Sequence, residues 1–292
     1  VEINNNQSIE NNILRNEQQS SEDLHNNINP DNPPWNSIAA FGMWFFSIVV
    51  LFVLSGAAIL MYAIANGTIG AANSSEAKLQ LDPNMILVGL LTTLPVHLLT
   101  IAVAWLLVTN AGKYPFWQTL GWNWGRNFGF WASLGTAVCF FLLAGLIISL
   151  FGETDNELMR ILRSSRSAVY VTAFMATVTA PLVEETVYRG VLYPAFRRTF
   201  GTAGSIAFVT LLFAGVHYWQ YRESPGVLIA ILLLSLVLTT VRAWTGNLLP
   251  CFVIHTVFNG IQSVLLIVEP FLPKTNAPTE LPSVFILPFL FK

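Results

Sequence analysis

The chain has 292 residues, of which 54% are hydrophobic and only 10% charged. A soluble domain carries roughly 25% charged residues, so this chain cannot cover a water-facing surface of its own, and its mean hydropathy of +0.58 agrees. Fourteen basic residues nearly cancel sixteen acidic ones, which leaves no electrostatic reason to expect a nucleic-acid partner. The two cysteines, Cys139 and Cys251, lie in apolar runs where a thiol behaves as a small buried hydrophobe, which excludes a disulfide framework.

Residues 1–36 are rich in Asn, with Gln, Ser and scattered acids, and have too few apolar groups to offset the entropy of ordering them. A disordered tail is expected, without a basic n-region and short apolar core that would mark a cleavable signal. Ile38 to Ala65 is an uninterrupted apolar stretch, long enough at about 1.5 Å per residue to cross a ~30 Å hydrocarbon core. The same reasoning gives spans at 84–109, 128–151, 168–197, 203–221, 226–242 and 248–268. An eighth segment, Leu281 to Phe291, is apolar but about half the usual span of roughly 20 residues, and it contains Pro282 and Pro288. It spans partially or lies in the interface.

Backbone groups in lipid must be satisfied within their own segment, and no alternating pattern suggests a barrel. The expected fold is therefore all-α: a polytopic transmembrane bundle of seven to eight helices over 37–292, behind the tail. Trp35, Trp44, Trp117, Trp122, Trp124, Trp131, Trp219 and Trp244 fall near span ends, where amphipathic rings sit at the headgroup level. Between the third and fourth spans, Thr154 and Glu157 form a capping signal, and Arg160, Arg163 and Arg166 recur at helical spacing. A short interfacial helix is expected there, read as a solvated connector before a lipid contact. Orientation does not follow from charge: Arg15, Lys113, Arg126, Arg197, Arg198 and Arg242 on one side balance Lys78, Arg160, Arg163, Arg166, Arg222 and Lys274 on the other.

Charged groups inside a span cost several kcal/mol unless paired or facing a cavity, so they mark function by default. The run Pro181-Leu-Val-Glu184-Glu185-Thr-Val-Tyr-Arg189-Gly190 concentrates them. Glu185 and Arg189 share a helix face and can pair, while Glu184 lies about 100° around the helix and faces a different neighbour. A carboxylate held away from bulk water can accept and return a proton near neutral pH, as a general base must. Pro181 cannot donate to the carbonyl of Thr177, and a bend just before the acids is expected. Phe213 and His217 are one turn apart on a second helix, and His255 and Asn259 on a third. Imidazole relays protons or binds metal, and a carboxamide can donate to a developing oxyanion. Singly, each has a structural explanation: an ion-pair staple, or a His that bonds a neighbouring helix. His97, with no companion motif, is assigned that structural role, and His25 in the tail none. The joint pattern is harder to explain as structure.

In order along the chain, E-E-x-x-x-R, F-x-x-x-H and H-x-x-x-N resemble the CPBP family of CAAX proteases and bacteriocin-processing enzymes, also called the Abi family. The context resembles it as well: Glu184-Glu185-Thr-Val-Tyr-Arg189-Gly190-Val-Leu192, and Thr245-Gly246-Asn-Leu-Leu-Pro250 leading into His255. The resemblance covers about residues 120–268 and leaves out the tail and first span. It implies an intramembrane endopeptidase with a cavity open to membrane and water. By matching position, Glu184 activates water with help from His217, and His255 and Asn259 stabilise the oxyanion. Glu185 and Arg189 orient the site, and Phe213 packs beside His217 or the substrate.

Two mechanisms compete: Zn²⁺ held by Glu184, His217 and His255, or water deprotonated by Glu184 and His217 alone. The sequence lacks H-E-x-x-H, so the metal-free version is preferred and no cofactor is assigned. The partners implied are the lipid bilayer and a membrane-embedded or lipid-tethered peptide. The family name suggests prenylated CAAX peptides, whereas bacterial relatives act on other peptides, and a bacterial cytoplasmic membrane is the expected location. The alternative is a catalytically silent scaffold or regulator of the same fold. A transporter ranks below both, because neither an inverted repeat nor paired broken helices are evident.

Overall fold

A computed structural model describes residues 29–67, 83–151, 165–268 and Phe271. Helix α1 (Ser37–Ala65) begins at an Asn36 cap, whose side chain accepts from the Ala39 N–H. It packs along α2 (Pro83–Val108). A short α3 (Phe116–Thr119) precedes α4 (Phe130–Phe151). A composite run follows: α5 (Arg166–Phe174), a π-helical segment Met175–Thr179, α6 (Ala180–Glu185), a second π-helical segment Thr186–Leu192, and α7 (Tyr193–Tyr221). Helices α8 (Pro225–Thr245) and α9 (Leu249–Val268) complete the bundle, with α8 against α7 and α9 against α4. The described residues contain no strand.

Among the described residues, six helical runs are long and apolar enough to cross a membrane, and the 56-residue run Arg166–Tyr221 counts as one of them. It is not one span. Gly201 has φ +69° and ψ 177°, a backbone conformation open essentially to glycine alone. Residues 12 apart in a continuous helix lie ~18 Å apart along its axis, yet Ser205 Oγ donates to the Tyr193 carbonyl at 2.9 Å. The chain reverses at Gly201, which separates the spans expected at 168–197 and 203–221.

The surface is apolar, as lipid requires: Phe52, Leu98, Trp131 and Leu150 are each more than 70% exposed. Inside, one cluster joins Met43, Ala104, Val108, Val187, Val191, Leu192 and Phe213, and a second joins α4, α8 and α9 through Phe140, Ala144, Leu234, Leu238, Ile254 and Phe258. Small residues set the close approaches. A Cβ on Gly226 would lie 3.1 Å from the Cα of Ile148, so α8 crosses α4 nearly backbone to backbone.

Several expectations need correction. The disordered tail does not extend to residue 36: residues 29–36 are folded across the helix ends. Asp31 accepts from the buried Arg242 at 2.8 Å and also pairs with Arg197, while Arg242 donates to the Pro30 carbonyl. The physical reason is charge. Arg242 is wholly buried, and a buried guanidinium needs a counter-ion. Trp35 is not at a lipid interface but buried, its indole N–H donating to the Val191 carbonyl at 3.0 Å. Cys139 is exposed on the bundle exterior, whereas Cys251 is buried as expected. Residues 1–28, most of the expected interfacial helix with Thr154 and Glu157, and the segment Leu281 to Phe291 lie outside the described residues.

Candidate active site

Two π-helical segments flank α6, the short helix that carries both acids. Such insertions recur at functional sites because they redirect side chains without ending the helix. They also change the consequence of Pro181. In the first π segment, the Ala180 N–H bonds to the Met175 carbonyl, five residues back. The next residue, Pro181, has no N–H. The carbonyl left over is that of Ala176 rather than the expected Thr177, and Asn259 fills it: its Nδ2 donates to Ala176 O at 2.7 Å. Helix α9 continues this seam one turn on, where Thr177 Oγ1 donates to Ser263 Oγ at 2.9 Å.

The two glutamates have different surroundings. Glu185 is completely buried, and its Oε1 accepts from Arg189 Nη1 at 2.9 Å and from His255 Nδ1 at 2.8 Å. Its Oε2 has no hydrogen-bond partner among the described residues. Arg189, also fully buried, donates through Nη2 to the carbonyl and hydroxyl of Ser235, and through Nε to Thr239 Oγ1. Its guanidinium lies 4.8 Å from the centre of the Phe213 ring. A buried charge pair with this many fixed bonds sets positions, and the acid in it has no access to water. Glu184 is the other kind. Its side chain is 27% exposed, and its Oε2 lies 3.7 Å from His255 Nε2, close but beyond a hydrogen bond.

Two cavities meet at Glu184. The smaller, about 150 Å³, is lined by Glu184, Phe213, His217, Tyr221, His255 and Asn259 with apolar neighbours. The larger, about 400 Å³, is lined by Glu184, His217, His97, Tyr188 and Gln220 together with Ser47, Ile48 and Phe52 of α1. Glu184 and His217 belong to both walls. His217 Nδ1 lies 2.7 Å from the Phe213 carbonyl. A carbonyl only accepts, so Nδ1 carries the proton and Nε2 keeps its lone pair. The imidazole is held between the rings of Phe213 at 4.9 Å and Tyr221 at 6.1 Å, nearly parallel to the second.

Of the sequence-derived residues, Glu184, Phe213, His217, His255 and Asn259 therefore surround one cavity, and Glu185 and Arg189 stand behind it. His97 makes the interhelical bond expected of it, from Nδ1 to Thr179 Oγ1 at 3.0 Å, but it also lines the larger cavity. Sequence reasoning missed Ser235, Thr239, Ser263 and Tyr221. Two hydroxyls one turn apart in apolar α8 were a usable signal for Arg189's partners, and Tyr221 follows His217 at the same four-residue interval as His217 follows Phe213.

Glu184, His217 and His255 were the zinc ligands to test. Among the described residues, no group of three or more His, Cys, Asp or Glu side chains is placed to hold a metal ion.

Residues 166–261 match the family model of type II CAAX prenyl endopeptidase Rce1-like proteins. The match covers about a third of the chain, and it is to this segment that the likeness applies. Comparison with curated proteins and with solved structures finds no match. The match agrees with the CPBP resemblance and contains the two acids, Arg189, Phe213, both histidines and Asn259. It begins later than the expected 120. The α1 and α2 residues that wall the larger cavity therefore lie outside the matched segment. The six membrane-length helices make the chain an integral membrane protein.

Proposed function

We propose that this protein is an intramembrane endopeptidase that hydrolyses peptide bonds of membrane-tethered peptides, using a water activated by Glu184 and His217. The observation that carries the reading is the contrast between the acids. Glu185 is immobilised by Arg189 and His255, whereas Glu184 borders both cavities, as does His217. A water between them loses a proton to Glu184, and its oxygen attacks the peptide carbonyl carbon. The resulting oxyanion is stabilised from the α9 side by His255 and the remaining Asn259 N–H. Collapse breaks the C–N bond, and the proton held by Glu184 passes to the departing amine. The products are a carboxylic acid and an amine, with no net change at the site.

The Rce1-like match supports an endopeptidase, and the family's CAAX prenyl endopeptidase character makes prenylated CAAX peptides the first substrates to try. A bacterial cytoplasmic membrane remains the proposed location. The test is cleavage of internally quenched peptides, with and without a prenylated CAAX terminus, by detergent-purified wild type and Glu184→Gln. The amide is nearly isosteric but cannot take the proton. Loss of about 10³-fold or more in kcat, with an unchanged melting temperature, is expected. Equal cleavage by both proteins would overturn the role of Glu184, and none by either would favour the silent scaffold.

A further inference from the structure

The two cavities that meet at Glu184 and His217 differ in size and in what lies beyond the junction. Ala230, Ile231 and Leu234 of α8 and Phe258 of α9 line the smaller one alone, and give it an apolar end away from the shared residues. Its volume of about 150 Å³ equals that of an apolar cavity that holds benzene in another protein. It therefore has room for one large apolar side chain but not for a length of peptide. The larger cavity runs the other way. Phe52 and Val216 on its wall are 72% and 38% exposed on the apolar outer surface, so this cavity opens toward lipid. Ala230 stands one turn before Leu234 on the same face of α8 and is 1% exposed. A longer side chain at that position has no outlet to the surface and can only enter the cavity.

We propose that the smaller cavity is a specificity pocket for the residue immediately beyond the scissile bond, that it takes one apolar side chain of Leu or Phe size, and that Ala230 and Leu234 set its depth. The inference rests on the endopeptidase reading above. A tethered substrate arrives from the side that opens to lipid, so its tethered part lies in the larger cavity. The bond placed at Glu184 then puts the first residue of the released fragment in the smaller one. An apolar side chain buried at the far end leaves water, and each methylene that fits is worth about 10–200-fold in discrimination. A carboxylate there would be desolvated among Ala230, Ile231, Leu234 and Phe258, none of which can pair with it.

The experiment measures kcat/KM for detergent-purified wild type, Ala230→Leu, Leu234→Ala and Glu184→Gln on internally quenched prenylated CAAX peptides that carry Ala, Leu, Phe or Asp immediately beyond the scissile bond. Wild type should favour the Leu and Phe peptides over the Ala and Asp peptides by about 100-fold. Ala230→Leu fills the pocket and should bring the Leu-to-Ala ratio down to about threefold or less, and Leu234→Ala enlarges it and should raise the Phe-to-Leu ratio about tenfold. The ratios are the readout, because general damage to the fold lowers every peptide alike. If Ala230→Leu does not fold, the Leu234→Ala ratio decides. A wild-type preference below about threefold, or ratios that neither variant moves, would overturn the proposal. So would a preference that follows the residue before the bond in a second set of peptides varied there. If wild type and Glu184→Gln do not differ, the endopeptidase reading fails and this inference with it. If Glu184→Gln is inactive and the ratios stay put, the inference alone fails.

Discussion

Replacing Arg189 by Met tests whether the buried ion pair positions the site. Met occupies similar space, so little of the effect comes from a cavity. The side chain removed donates to Glu185, Ser235 and Thr239, and both it and Glu185 are fully buried. Glu185 would keep only the His255 contact on Oε1, since its Oε2 has no partner among the described residues. Stranding a buried charge costs about 3–5 kcal/mol. At roughly 2–4 °C per kcal/mol for a chain of this size, the melting temperature in detergent should fall by about 6–20 °C. Glu185→Gln added to Arg189→Met removes the stranded charge, and the amide oxygen can still accept from His255. The double variant should recover to within about 2 kcal/mol of wild type. A single variant melting within about 2 °C of wild type, or a double variant no more stable than the single, would refute the argument.

Gly201→Ala forces a side chain into a conformation with φ +69° and ψ 177° and should cost about 1–3 kcal/mol in the same melting assay; an unchanged melting temperature would mean the reversal can form another way. Asp31→Ala leaves the buried Arg242 without its carboxylate. Because Asp31 is 22% exposed, the loss should be about 2–4 kcal/mol, somewhat below that of a sealed pair, and a neutral result would show that Arg242 is satisfied by the Pro30 carbonyl alone. Treatment with a strong chelator should leave peptide hydrolysis unchanged. Loss of activity that zinc restores would replace the metal-free mechanism with a metal-dependent one.

The sequence by itself determined the bundle. Apolar runs long enough to cross a bilayer admit only helices, because lipid offers no partner to the backbone, and both flanks of Gly201 were legible as separate spans for that reason. It also determined which side chains are out of place in lipid. The pairing of Glu185 with Arg189 follows from helical spacing alone, and so does the shared face of His255 and Asn259. What spacing along one helix cannot express is contact between helices. That Glu185 is also bound to His255, that Arg189 reaches Ser235 and Thr239, and that Asp31 closes on Arg242 depend on residues 46–211 positions apart. The π-helical register is another tertiary outcome. It moved the carbonyl freed by Pro181 from Thr177 to Ala176 and thereby engaged one donor of Asn259, which no count of four residues per turn would show. The distinction between a sealed Glu185 and an accessible Glu184 was likewise decided by packing. Adjacent residues in sequence differ by only about 100° around a helix, and the neighbours met over that angle decide which carboxylate reaches water.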